Sequence, residues 1–329
     1  MKEFTRWVMF VLGLGLLLSL GALPVHAETE GHFDRTLSVS GPVDLEVETG
    51  SGSIAVRAGG PGKLEIHATI RANSGWHLGG ADAESRIHAL ESNPPIEQDG
   101  NHIRIGHIED RELTRDISIS YELVVPGDTH LRSGSGSGSQ TIDGIAGPVD
   151  ASTGSGSLRI STIRQEVRAR TGSGSIELNA IGAAVKASTG SGGIRALGVA
   201  GGLTASTGSG GVKLEQTAAG DVDVETGSGS IELSGVKGSV RVSTGSGSVT
   251  AQGEPTGHWR LRTASGSVTV HLPEQAAFDL EAHCTSGHIE STHPITVEGT
   301  ISPRELHGKV HGGGPLVELN TTSGSIRID

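Results

Sequence analysis

Apolar residues recur along the middle of this chain in two short alternating runs separated by a Gly/Ser corner. The unit is Thr-Gly-Ser-Gly-Ser-(Ile/Leu/Val), and its first residue falls at Ser135, Thr153, Thr171, Thr189, Thr207, Thr226, Thr244, Thr263 and, degenerately, Cys284. The steps are 18, 18, 18, 18, 19, 18, 19 and 21 residues. With that first residue as position zero, position −4 reads Val149, Val167, Val185, Leu203, Val222, Val240, Trp259 and Leu280. Position −2 is Ala151, Ala169, Ala187, Ala205, Val224, Val242, Leu261 and Ala282. Position +5 is Leu158, Ile176, Ile194, Val212, Ile231, Val249, Val268 and Ile289, and +7 is again mostly aliphatic. The residues between them are polar or charged. Strict period-2 alternation is the mark of a half-buried strand. Each unit therefore predicts strand, tight corner, strand and a looser return, with the corner glycines expected at positive φ.

Nine such units would need about eighteen strands as a flat meander, whereas open sheets rarely exceed ~10. A regular period of this length instead indicates a stacked array. The prediction is an all-β fold, an elongated parallel β-solenoid with coils of about 18 residues. Charges support the stacking. Position +6 runs Arg159, Glu177, Arg195, Lys213, Glu232, and Asp223 precedes Arg241 at position −3, so opposite signs fall on adjacent coils. A membrane β-barrel is disfavoured, because the face opposite the aliphatics is charged.

Outside the regular array, Leu45, Val47, Thr49, Ile54 and Val56 fill the same slots as one early coil. An insertion follows. Ala81 to Leu90 predicts a short helix, Asp99-Gly100 a hairpin within Ile96 to Ile105, and Ile117 to Val125 a further strand. Residues 28–130 are expected to form an N-terminal coil and capping section, and residues 131–292 the regular repeats. Residues 293–329 are an irregular segment followed by a last coil, Val317, Leu319, Thr321, Ile326 and Ile328.

The start of the chain reads as a secretory signal peptide over residues 1–27: basic Lys2 and Arg6, an apolar run from Trp7 to Leu23, then Val25-His26-Ala27. The competing reading is an uncleaved anchor, but the run lies at the lower limit for spanning a bilayer. No Cys follows the run, which argues against a lipoprotein. Cleavage would leave 302 residues with no further membrane span, and loss of Lys2, Glu3 and Arg6 takes the net charge from −12 to −13. That acidity argues against nucleic acid as a partner. Cys284 is the one cysteine, so internal disulfides are excluded. Fifty-two glycines would fit a flexible linker, but linkers lack periodic Val, Ile and Leu.

The Thr-Gly-Ser-Gly-Ser-Ile units resemble the bacterial putative-adhesin domain family. So do Leu123-Val124-Val125-Pro126 before the first repeat and the closing Gly312-Gly313-Gly314 and Leu319 to Ile326. The similarity spans residues 37–329 and carries no catalytic motif. It implies a β-solenoid of the cell envelope, periplasmic or at the cell surface.

No chemistry stands out in the residues. The glycine runs lack the Gly-Lys-(Ser/Thr) of a phosphate loop, the corners lack the Asp of calcium-binding rolls, and no nucleophile elbow is present. His258, His271, His283, His288, His293, His307 and His311 crowd the C-terminal part around Cys284, but match no metal-ligand spacing. Glu177, Asp223, Glu225 and Glu232 alternate with bases rather than pairing as a glycosidase would need. No catalytic, cofactor-binding or metal residues are therefore expected. The reading is a non-catalytic envelope protein, an adhesin or structural protein with a protein or glycan partner. The alternative is a polysaccharide-active solenoid enzyme.

Overall fold

Position by position, the alternating aliphatics stack on their equivalents in the next coil. A computed structural model describes residues 30–72, 80–297 and 302–329; the leader expected over residues 1–27 and Trp76 lie outside them. Among the described residues the strands form two long sheets, one of 14 and one of 15 strands. Positions −4, −2 and zero lie in one sheet, in parallel register Val149↔Val167, Ala151↔Ala169 and Thr153↔Thr171. Positions +5 and +7 lie in the other, with Leu158↔Ile176 and Ile160↔Leu178. The same register continues through Val240↔Trp259 and Val249↔Val268. All these side chains are buried between the sheets. The protein is an all-β parallel solenoid.

The return segment carries a core column that the alternation conceals. Ile145, Ile163, Ile181, Val199 and Val236, all at position +10, are buried. The residue before each has left-handed backbone: Gly144 (φ 79), Thr162 (φ 57), Ala180 (φ 54), Gly198 (φ 69) and Gly235 (φ 67). That one residue reverses the inside–outside parity of the strand and turns +10 back into the core.

The later corners carry the expected positive φ, at Gly247 (φ 150), Gly266 (φ 153) and Gly324 (φ 147), whereas the earlier corners need glycine for another reason. Gly154, Gly156, Gly172 and Gly174 are absent from the residues at positive φ. A Cβ on Gly156 would lie 2.0 Å from the carbonyl oxygen of Gly138, and one on Gly174 1.9 Å from that of Gly156. Coils approach too closely at the corner for any side chain. The position-zero threonine locks this contact. Thr171 Oγ1 donates to Gly156 O of the preceding coil at 2.8 Å and accepts from Gly174 N at 3.1 Å. Thr189 repeats both bonds.

The two ends depart from chain order. At the N-terminal end the strands of the Thr49 coil, Val43–Thr49 and Ile54–Gly59, lie one layer in, against Thr129–Ser135 and Gln140–Asp143. Strands His102–Ile105 and Ile117–Pro126 form the layer outside them. The hairpin Ile96–Asp99 with His102–Ile105 and the antiparallel strands Lys63–Ala72 and Glu30–Ser38 complete that end. Helix Gly80–Ser92 buries Ile87 and Leu90, and Glu91 Oε1 accepts from the backbone N of His32 on the outermost strand at 2.9 Å. Helix and antiparallel strands thus cover that end, where a parallel strand would otherwise present an unpaired edge.

The C-terminal coil does not follow the Cys284 coil in space. Leu316–Ser323 sits between Trp259–Ser265 and Phe278–Ser286, in register Thr263↔Thr321 and Cys284↔Thr321. Ile326–Ile328 likewise lies between Val268–His271 and Ile289–Ser291. The outer edge of Phe278–Ser286 is occupied by antiparallel Glu305–Val310, itself paired with Ile295–Val297. The regular Thr321 corner therefore stacks on the regular Thr263 corner, and the degenerate Cys284 coil faces the cap.

Candidate interaction surface

Because inward positions alternate with outward ones, each sheet presents its polar residues as rows running from coil to coil, about 4.8 Å apart. On the +5/+7 sheet one row is Arg159, Glu177, Arg195, Lys213 and Glu232. Arg159 Nε meets Glu177 Oε2 at 3.0 Å, and Lys213 Nζ meets Glu232 Oε1 at 2.6 Å. On the other sheet Asp150 reaches Arg170 at 3.6 Å, and Asp223 is the register partner of Arg241. These pairs are about half exposed, so each stabilises by well under 1 kcal/mol. Their effect is to set a repeating pattern of charge along a long face.

Toward the N-terminal end the +5/+7 face deepens into a concavity of about 570 Å³. Ala55 and Val124 form its apolar floor, and Arg57, Glu65, His67 and Glu122 its charged surround. His67 Nδ1 lies 2.7 Å from Asp34 Oδ1.

The carboxylates weighed for glycoside chemistry do not converge. Glu177 and Glu232 lie on one sheet, each paired with a base, while Asp223 and Glu225 lie on the other. The C-terminal histidines are dispersed as well. His271 pairs with Asp329 at 3.7 Å, His288 with Glu290 at 3.0 Å and His307 with Glu305 at 3.0 Å. His311 Nδ1 lies 3.1 Å from Ala276 O, and His293 packs edge-on against Phe278 with ring centroids 5.9 Å apart. His283 stands opposite Glu305 on the outer strand pair. Cys284 is buried, which pushes its thiol pKa up. Among the described residues no three His, Cys, Asp or Glu side chains are grouped to hold a metal ion.

One polar node escaped the sequence reading. Glu318, on the inserted last coil, accepts from Arg260 Nε and Arg262 Nη2, each at 2.6 Å, with His258 3.8 Å away. Burial works to raise its pKa, but the hydrogen bonds and charges of Arg262 and Arg260 outweigh burial and hold it below the ordinary carboxylate range. Nothing in chain order brings Glu318 beside Arg260; the insertion of the coil does.

Residues 166–329 match the family model described as Toastrack DUF4097. No curated protein matches the chain. Solved structures similar to it include a putative cell adhesion protein from Clostridium sporogenes, at 11% identity and TM-score 0.24, covering 91% of this chain and 99% of that one. A putative adhesin from Bacteroides fragilis has 13% identity and TM-score 0.32, covering 91% of this chain and 97% of that one. A putative adhesin from Parabacteroides distasonis has 9% identity and TM-score 0.33, with the same coverage of 91% and 97%.

Proposed function

From a chain whose residues 166–329 match the Toastrack DUF4097 family model, we propose an exported, non-catalytic envelope protein that grips an extended partner along its ladder faces. The observation that carries this reading is the repetition of charged side chains at the same outward positions of successive coils. A partner with its own repeating groups, a glycan or an elongated protein, would meet one weak contact per coil, and affinity would accumulate through multivalency. In this reading residues 28–130 are an N-terminal coil and capping section, residues 131–292 present the rows, and residues 293–329 are an irregular segment with the last coil. Among the described residues no helix is long and apolar enough to cross a membrane.

The test is removal of one whole coil, Val185 to Gly202. Val167 and Leu203 are both register partners of Val185, so the ladder can reclose across the gap. Binding to envelope preparations from the host is expected to weaken stepwise as one, then two coils are removed, with no cleavage of envelope glycans. Release of glycan fragments, or complete loss of binding from a single-residue change in the array, would show a discrete site instead.

A further inference from the structure

The repeat breaks two of its own rules in the same two coils. At position +4 the outward residue is Ser157, Ser175, Ser230 and Ser248, but it is Gly193 and Gly211 in the Thr189 and Thr207 coils. The backbone does not demand either glycine. Both are absent from the residues at positive φ. A Cβ would lie 3.4 Å from Gly211 O and 3.2 Å from Ser230 O, against 1.9 Å at a corner glycine such as Gly174. Position +6 points out of the same face, and there opposite signs give way to like: Arg195 and Lys213 are register partners. Like charges on adjacent strands are destabilising. Glu232 holds Lys213 and Arg159 holds Glu177, so Arg195 has no ion pair among the described residues. Local rules broken together mark a place where function is expected.

The missing hydroxyls also remove acceptors. Ser157 N donates to Ser139 Oγ at 3.2 Å and Ser175 N to Ser157 Oγ at 3.3 Å, each a bond to the same position of the preceding coil. Gly193 offers no such oxygen to Gly211 N, nor Gly211 to Ser230 N. The two glycines leave a shallow hollow of about 380 Å³, with Arg195 and Lys213 along one side and Ser175 and Ser230 at its ends. Two cations therefore meet two backbone donors that lack their usual acceptor. The floor between them is glycine Cα and the aliphatic stems of Arg195 and Lys213.

We propose that this hollow seats one carboxylated sugar residue of an extended acidic glycan. Its carboxylate lies between Arg195 and Lys213, and its hydroxyl oxygens take the places of the missing serine hydroxyls at Gly211 N and Ser230 N. Its C–H face rests on the glycines. An acidic peptide would meet the cations but offers no rigid ring of oxygens to the amides. The hollow opens to solvent on the +5/+7 face, so the glycan continues along the charged row. The inference rests on the ladder-face reading and adds to it one contact among many.

The test follows the backbone amides of the full-length protein by NMR during titration with trigalacturonate. Saturable shifts at Gly211 and Ser230 are expected. Galactotriose, which lacks the carboxylates, and triglutamate, which lacks the ring hydroxyls, each bind about tenfold more weakly, as does trigalacturonate to Arg195→Gln. The double change Gly193→Ser and Gly211→Ser restores the residue that other coils carry, so the fold survives, and it abolishes the shifts. Absence of saturable shifts, unchanged binding by the double variant, or equal binding of galactotriose or triglutamate overturns the site. Removing the coil Val149 to Glu166 leaves the hollow intact, since Leu131 and Val167 are both register partners of Val149. If envelope binding does not weaken on that removal while trigalacturonate still binds, the ladder-face reading falls and the site stands. Envelope binding that weakens with coil removal, without trigalacturonate shifts, sinks the site alone.

Discussion

At the scale of residues, Thr162 is the most informative single position. It holds a left-handed backbone at φ 57 on an exposed site, a conformation that costs a β-branched residue about 1–2 kcal/mol. Gly198 and Gly235 do the same work in later coils without that cost. Thr162→Gly is expected to raise stability by about 1 kcal/mol in denaturant unfolding, the relief of strain exceeding glycine's greater unfolded entropy. A loss of stability would mean that the parity reversal at +9 is misplaced. Ala187 and Lys186 test the register in the opposite sense. Ala187 is buried at 1% exposure in the narrow −2 column, and Lys186 faces solvent. Ala187→Glu should cost several kcal/mol by burying a charge without a partner. Lys186→Glu should shift stability by less than about 1 kcal/mol.

At the scale of elements, the strand Leu316–Ser323 matters most, because it joins two coils that would otherwise not meet. Glu318 anchors it to Arg260 and Arg262. Glu318→Gln should destabilise this end by about 1 kcal/mol, a figure reduced by the half-exposed arginines. The pH dependence follows from the lowered pKa. The folded state holds its proton less tightly than the unfolded chain, so the contribution is full above the ordinary value of 4.5. It is lost as pH falls through the folded value. Hydrogen exchange of this strand should therefore differ between the two proteins at neutral pH and converge in acid.

At the scale of the whole molecule, both termini follow one plan. Each end has a coil tucked one layer in, and antiparallel strands that do not repeat cover both sheets at the N-terminal end and one sheet at the C-terminal end, where the other sheet stops at the parallel strand Ile289–Ser291. Such covering limits the free edge that a last parallel strand offers. Deleting residues 315–329 should thus do more than shorten the stack. The Thr263 coil would lose its register partner on that side, keeping only the Thr244 coil, and the Cys284 coil would be left without a parallel neighbour. Limited proteolysis should then cut within residues 278–314 first, while the coils from Thr153 to Thr226 remain protected.

Sequence alone determined the coil. Period-2 alternation, the 18-residue step and the position-zero threonine require two facing strands and a corner, because each residue's environment is its own equivalent one period away. Those columns, the charge rows and the N-terminal helix and hairpin were legible for that reason. The tertiary structure decided what depends on which coil lies next to which. The +10 column was hidden because one left-handed residue, here Thr162 or Ala180 rather than glycine, breaks the alternation. The positive φ expected of the corner glycines holds at Gly247 and Gly266, but the second constraint, a carbonyl of the neighbouring coil that excludes a Cβ at Gly156 and Gly174, was not legible. The Glu318 node was invisible because it arises where the chain leaves its own order. Glu318 reaches Arg260 across 58 residues, a contact that only the insertion of its coil creates.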